Sequence, residues 1–88
     1  MTNPHESLAR IRKATAIADY LFSAIDAPDR ISDLTVQLVR GARQDVRDTI
    51  ATNAGQKSPS AETWALVVSE LERRVEAAQA GARAVTAS

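Results

Sequence analysis

Apolar residues recur along this chain at spacings of three and four, and nowhere alternate in twos. That periodicity belongs to α-helices; half-buried strands would show a period of two. Ile11, Ala14, Ala18, Leu21 and Ile25 form one stripe, widened by Leu8, Ile17 and Phe22. Ile31, Leu34, Leu38, Val39, Ala42, Val46 and Ile50 form a second. The third is the most regular: Ala61, Trp64, Val68, Leu71, Val75, Ala78, Ala82 and Val85, with steps that alternate three and four. A sustained alternation of this kind is a heptad seam, the signature of a left-handed helix pair or bundle.

Proline and glycine divide the stripes. Asn3 as cap, Pro4 as first helical residue and Glu6 in capping-box position predict helix 1 over about residues 4–26. Helix 2 is predicted over about residues 30–52, closed by Asn53-Ala54-Gly55, a sequence suited to a left-handed C-terminal turn. Ser58 as N-cap followed by Pro59 predicts helix 3 over about residues 59–79. Gly81 and the small residues after it predict a frayed tail over 80–88. The whole of 1–88 reads as a single helical domain.

The short link Ala27-Pro28 predicts that helices 1 and 2 form a tight antiparallel hairpin. A turn centred on Pro28 pairs Ile25 with Ile31, Phe22 with Leu34, Ala18 with Leu38, Ile17 with Val39, and Ala14 with Ala42. Small opposes small near Gly41, so that glycine, which costs about 1 kcal/mol against alanine inside a helix, is expected to sit at a close helix–helix approach. The predicted fold class is all-α: an antiparallel hairpin plus a third long helix, a three-helix bundle assembled as a homo-oligomer.

Composition supports the last point. Of 88 residues 17 are alanine and only Trp64, Tyr20 and Phe22 are aromatic, so the core is helix-favouring but thin. A chain this short buries only about 60–65% of its unfolded surface, and burial from self-association or a partner is expected. Trp64, Val68, Leu71 and Val75 are the candidate interface, packing either on the hairpin or on another subunit. There is no cysteine, which excludes disulfides, thiolate metal sites and a cysteine nucleophile, and favours the cytoplasm over a secreted fate. No apolar run reaches the roughly 20 residues of a membrane span, and no membrane association is expected.

Candidate chemistry is sparse. His5, the single histidine, sits at the start of helix 1 and reads as solvated. P-loop, dinucleotide and serine-nucleophile patterns are absent. Glu70 and Glu72 point to different faces, and Asp45 and Asp48 lie among arginines, so neither pair forms an acid–base couple. No catalytic, cofactor-binding or metal-binding residue is predicted, and no cofactor.

Charge is more informative. The formal net charge is zero, but its distribution is polar. Arg10, Arg12 and Lys13 in helix 1 and Arg40, Arg43 and Arg47 in helix 2 are expected at one end of the hairpin. Asp19, Asp26, Asp29 and Asp33 gather at the other, with Arg30 the exception, and Arg73 and Arg74 are expected to return towards them. The six basic residues are candidates for contact with an anion or a partner. Arginine supplies nine of the eleven cations, and its planar fork suits phosphate and carboxylate. Against nucleic acid stand the zero net charge and the predicted helix lengths, since a DNA-binding helix-turn-helix needs short helices that cross steeply. The favoured expectation is a small adaptor or regulator acting through self-association and contact with an unidentified protein. The alternative is a nucleotide-, anion- or nucleic-acid-binding protein using the basic end.

Overall fold

The computed structural model describes the backbone of residues 4–25, 27 and 33–87, and the side chains of 7–25, 27 and 33–82. Every regular element among them is an α-helix. There are four: α1 (Pro4–Ser23), α2 (Asp33–Arg40), α3 (Gln44–Asn53) and α4 (Ala61–Ala87). The expectations that rest on Asn3, His5, Glu6, Asp26, Asp29, Arg30, Ile31 and Val85 lie outside the described residues or side chains.

Helix α4 is the spine. At 27 residues and about 1.5 Å of rise each, it sets the 47 Å long axis of the molecule. Its N-cap is Ser60 and not Ser58. The Thr63 amide donates to Ser60 Oγ at 3.1 Å, and the Ser60 hydroxyl donates to Thr63 Oγ1 at 3.0 Å. Ser58 is spent elsewhere, on the Asp48 carboxylate. The helix also continues through Gly81 to Ala87, where a frayed tail was expected. The alanine-rich sequence around Gly81 outweighs the cost of one exposed glycine.

Helix α1 packs along α4 in the same direction. Near the two starts Arg10 pairs with Glu62 at 3.1 Å, and further along both helices Asp19 pairs with Arg74. The second pair places Arg74 among the acidic residues, as expected. Ala14, Ile17 and Ala18 of α1 join Trp64, Val67 and Val68 of α4 and Ala51 of α3 in the core, each no more than 2% exposed. Leu71 and Val75 extend it. All four candidate interface residues, Trp64, Val68, Leu71 and Val75, are therefore covered by the chain's own helices, and burying them requires no second copy.

The predicted hairpin does not form. Helix α1 ends at Ser23, short of the expected Asp26, and the described part of α2 begins at Asp33. Ala27 is outside helix and precedes a proline, which disfavours helix at that position. Instead α2 lies on α4, antiparallel to it: its C-terminal end reaches Trp64 and Glu72, while the rest of the helix borders Val75, Glu76 and Gln79. Val36 and Val39 turn towards the core. Leu34 and Leu38, expected opposite Phe22 and Ala18, are 66% and 67% exposed.

The second correction is the broken helix. Residues 30–52 are not continuous: α2 stops at Arg40, Gly41-Ala42 turn, and Arg43 is extended at φ −73°, ψ 162° before α3 begins. Gly41 is exposed, and a Cβ there would meet only the Gln37 carbonyl, at 3.5 Å. It marks a helix end rather than a close approach. A buried indole N–H must find an acceptor, and Trp64 Nε1 donates to the Val39 carbonyl at 2.9 Å. The same carbonyl accepts the Ala42 amide at 3.2 Å, in the tight turn that ends α2.

Candidate functional site

The parallel pairing of α1 and α4 brings their N-terminal ends to one pole, and α3 lies across it. The evidence for crossing is the position of Gln44, the first residue of α3. In an antiparallel hairpin with α4 it would stand beside residues near 69. Its amide Nε2 instead donates to Asp48 Oδ1 at 2.7 Å and approaches Ser58 Oγ at 3.1 Å and the Pro59 carbonyl at 3.4 Å. Both ends of α3 therefore sit at the head of α4.

The connection is built for a sharp corner. Gly55 has φ +77°, the left-handed conformation that glycine adopts without strain. The Gln56 amide donates to the Ala51 carbonyl at 2.8 Å and the Gly55 amide to the Thr52 carbonyl at 3.0 Å, which together make a Schellman C-cap. Four residues later Ser60 caps α4. Ala51 is fully buried, so α3 can lie close against its neighbours. This unit is a ten-residue helix, a connection over 54–60 stopped by Gly55, and a 27-residue second helix that together turn a corner. Helix 2 is shorter than expected, but the connection is longer than the three- to four-residue turn of a DNA-binding helix-turn-helix, and α4 keeps the length on which that motif was excluded.

The six predicted basic residues gather around this pole, although by a different register from the one expected. Arg10 reaches Glu62, and the Lys13 ammonium donates to the Ser58 carbonyl at 3.1 Å. Arg12 is exposed on the same turn of α1. Arg43 pairs with Asp45 at 2.9 Å. Arg47 donates Nε–H to the Ala42 carbonyl at 2.7 Å, and its guanidinium carbon lies 5.8 Å from the centre of the Trp64 ring. Arg40 stands at the margin, paired with Glu72. Lys57, which the charge pattern did not single out, adds a seventh cation in the turn. Against these stand, among the described side chains, three carboxylates, Asp45, Asp48 and Glu62. The pairs are solvent-exposed and each is worth about 0–1 kcal/mol, so another anion can displace the native partner.

Two of the carboxylates are held in their charged form. The Arg43 guanidinium keeps Asp45 below the usual carboxylate range. The Ser58 hydroxyl, followed by the Gln44 amide, does the same for Asp48. Asp48 thereby ties α3 to the segment preceding α4. At the opposite pole Asp19 and Glu70 share Arg74, and Glu70 also receives Arg73. There Asp33, Glu72 and Glu76 border a groove of about 490 Å³ between α2 and α4.

The arrangement can bind anions; it has no enclosed pair of carboxylates for acid–base work. Among the described residues no group of three His, Asp or Glu could hold a metal ion, and no helix is long and apolar enough to cross a membrane. The charge pattern passed over Lys57, and the heptad seam marked Trp64 only as interface. The signal that both passed over was Gly41 with Asp45 four residues on, a stop followed by an acidic first turn, which also reads as one helix ending and another starting. No protein-family model, curated protein or solved structure matches the chain.

Proposed function

We propose that this chain is a small nucleic-acid-binding protein that docks the backbone of a duplex with the α3–α4 corner. The observation that carries this reading is the corner itself, a short helix crossing the head of a longer one where basic side chains of α1, α3 and the turn converge. In helix-turn-helix proteins the second helix offers its N-terminal residues to the major groove. Here the exposed residues of that stretch are Ser60, Ala61, Glu62, Ala65 and Leu66. Arg12, Arg43 and Lys57 flank them and supply backbone contacts, which position a protein without reading sequence.

The test is fluorescence anisotropy of a labelled duplex. Binding should weaken with salt at a slope of roughly −0.9 per phosphate neutralised, and Arg12→Gln, Arg43→Gln and Lys57→Gln should each make the slope shallower by about one contact. Absence of saturable binding at low salt, or binding indifferent to salt, would overturn the reading.

A second reading, contact with protein and first of all with another copy of the chain, is favoured by the back of α2. Leu34 and Leu38 stand four residues apart on a face completed by exposed Gly41 and the uncharged Gln37. About a twofold axis, Leu34 of one copy would meet Leu38 of the other with no charge to desolvate. The chain exposes 6025 Å² at a mass of 9.4 kDa, against about 5000 Å² for an average folded monomer of that mass. The excess is comparable to the roughly 800 Å² each partner contributes to a standard interface. Sedimentation of the wild type against Leu34→Glu/Leu38→Glu decides it: a dimer lost in the double variant supports self-association, and a monomer at high micromolar concentration removes it. Both readings fit a protein of the cytoplasm, acting as a regulator rather than an enzyme.

A further inference from the structure

We propose that the recess enclosed by Arg40, Arg47, Trp64 and Ser69 is a seat for a phosphate group. It has a volume of about 230 Å³ and is floored by the small residues Ala61, Ala65 and Val68 of α4. That is below the range of roughly 300–1,000 Å³ that holds drug-sized ligands, and it suits a compact group rather than a whole nucleotide.

The two arginines enter from either side of the helix break, Arg40 from the last turn of α2 and Arg47 from the first turns of α3. Each is already oriented. Arg47 commits its Nε–H to the Ala42 carbonyl and lies over the indole of Trp64. This leaves the four N–H groups on its terminal nitrogens, a planar fork matched to two phosphate oxygens. Arg40 is held by Glu72 from the far side. Arg47 has no carboxylate partner among the described residues, so the recess carries an excess of positive charge. The Ser69 hydroxyl can add one further donor.

The source of the phosphate is either a nucleic-acid backbone, in which case the seat rests on the function proposed above, or a free phosphate. Trp64 is the only tryptophan in the chain, and it reports on its own site. The experiment follows its fluorescence during titration with inorganic phosphate, against sodium chloride of matched ionic strength, and separately with a short unlabelled duplex. The expected result is a saturable change in emission with phosphate but not chloride. Arg47→Gln and Arg40→Gln should each weaken it about tenfold. Arg47→Lys, which keeps the charge and loses the fork, should also weaken it, with helix content by circular dichroism unchanged.

A duplex that perturbs Trp64 and competes with phosphate identifies the backbone as the source. Phosphate binding without duplex binding keeps the seat and removes the nucleic-acid reading. A duplex that binds without moving Trp64, and whose affinity ignores both arginine variants, overturns the seat while leaving that reading intact. Phosphate binding of wild-type strength in the Arg40→Gln/Arg47→Gln double variant overturns it too, as does the absence of any saturable response.

Discussion

Helices α2 and α4 both carry an amphipathic stripe, and the molecule treats the two stripes oppositely. On α4 the residues Trp64, Val67, Val68, Leu71 and Val75 are all at most 5% exposed. On α2 nothing is buried, and the two leucines of its stripe are two-thirds exposed. Both patterns record an apolar face. What covers a face is decided by neighbours in space, and those depend on where helices stop. Helix α4 is uninterrupted and has α1 and α2 packed along it, while α3 lies against α1 at its head. Helix α2 has only eight residues, and the carbonyl and valines at its C-terminal half face α4, which leaves Leu34 and Leu38 on the opposite side.

The contrast can be broken most forcefully in the core. Leu71→Ala should cost about 2–4 kcal/mol, because the cavity it leaves cannot collapse within a seam of buried neighbours. At this size each kcal/mol lowers the melting temperature by about 4–8 °C. Leu38→Ala should change stability by less than about 0.5 kcal/mol at concentrations where the chain is monomeric. Thermal or urea denaturation of the two variants side by side checks the difference. Equal losses would mean that α2 is covered in solution.

The two glycines sharpen the same comparison at the helix ends. Gly55 has positive φ and closes α3, so Gly55→Ala should destabilise by about 1–2 kcal/mol, the cost of a left-handed L-residue. The Gly41 backbone is not left-handed, and a methyl group there meets only ordinary contact. Gly41→Ala should therefore be neutral or stabilise by about 0.4–1 kcal/mol, through the lower entropy of the unfolded chain. Chemical denaturation of the pair tests both signs.

The smallest expected effect is acid sensitivity of the corner. Asp48 has a folded pKa below its unfolded value, owing to Ser58 and Gln44. As pH falls the unfolded chain takes up the proton first. The stabilisation is thus complete above about pH 4, the ordinary carboxylate value, and is lost as pH falls through the folded value. Asp48→Asn should flatten the acid limb of a stability–pH curve without altering stability at the acid extreme. An unchanged acid limb would mean that Asp48 does not tie α3 to the segment before α4.

Much of the fold was legible in residue spacing. The all-helical class, the seam of α4 and the stop at Asn53-Ala54-Gly55 all follow from local pattern. The candidate pole was half legible: Arg10, Lys13 and Arg47 come together at the head of α4, while Arg40 pairs with Glu72 further along it. Arg40 and Arg47 were already grouped by their spacing, but their meeting with Trp64 and Ser69 of α4 was not legible, because no spacing rule relates residues of separate helices. Gly41 was visible to both readings. As a glycine inside a helix it asked for close packing; as a stop before Asp45 it asked for a corner. Local preference differs between these by about 1 kcal/mol, too little to choose.

The sequence by itself determined that the chain is helical and which face of each stretch is apolar, because both depend on neighbours within a turn or two. Only the tertiary structure decided that helix 2 breaks at Gly41. The deciding interactions are non-local: the Trp64 indole takes the Val39 carbonyl across 25 positions of chain, Arg47 lies over that indole, and Ser58 and Gln44 meet at Asp48. A buried donor left without an acceptor costs about 1–3 kcal/mol, and the Val39 carbonyl that meets the Trp64 N–H also closes the end of α2 by accepting the Ala42 amide, so core and helix end are tied at one group.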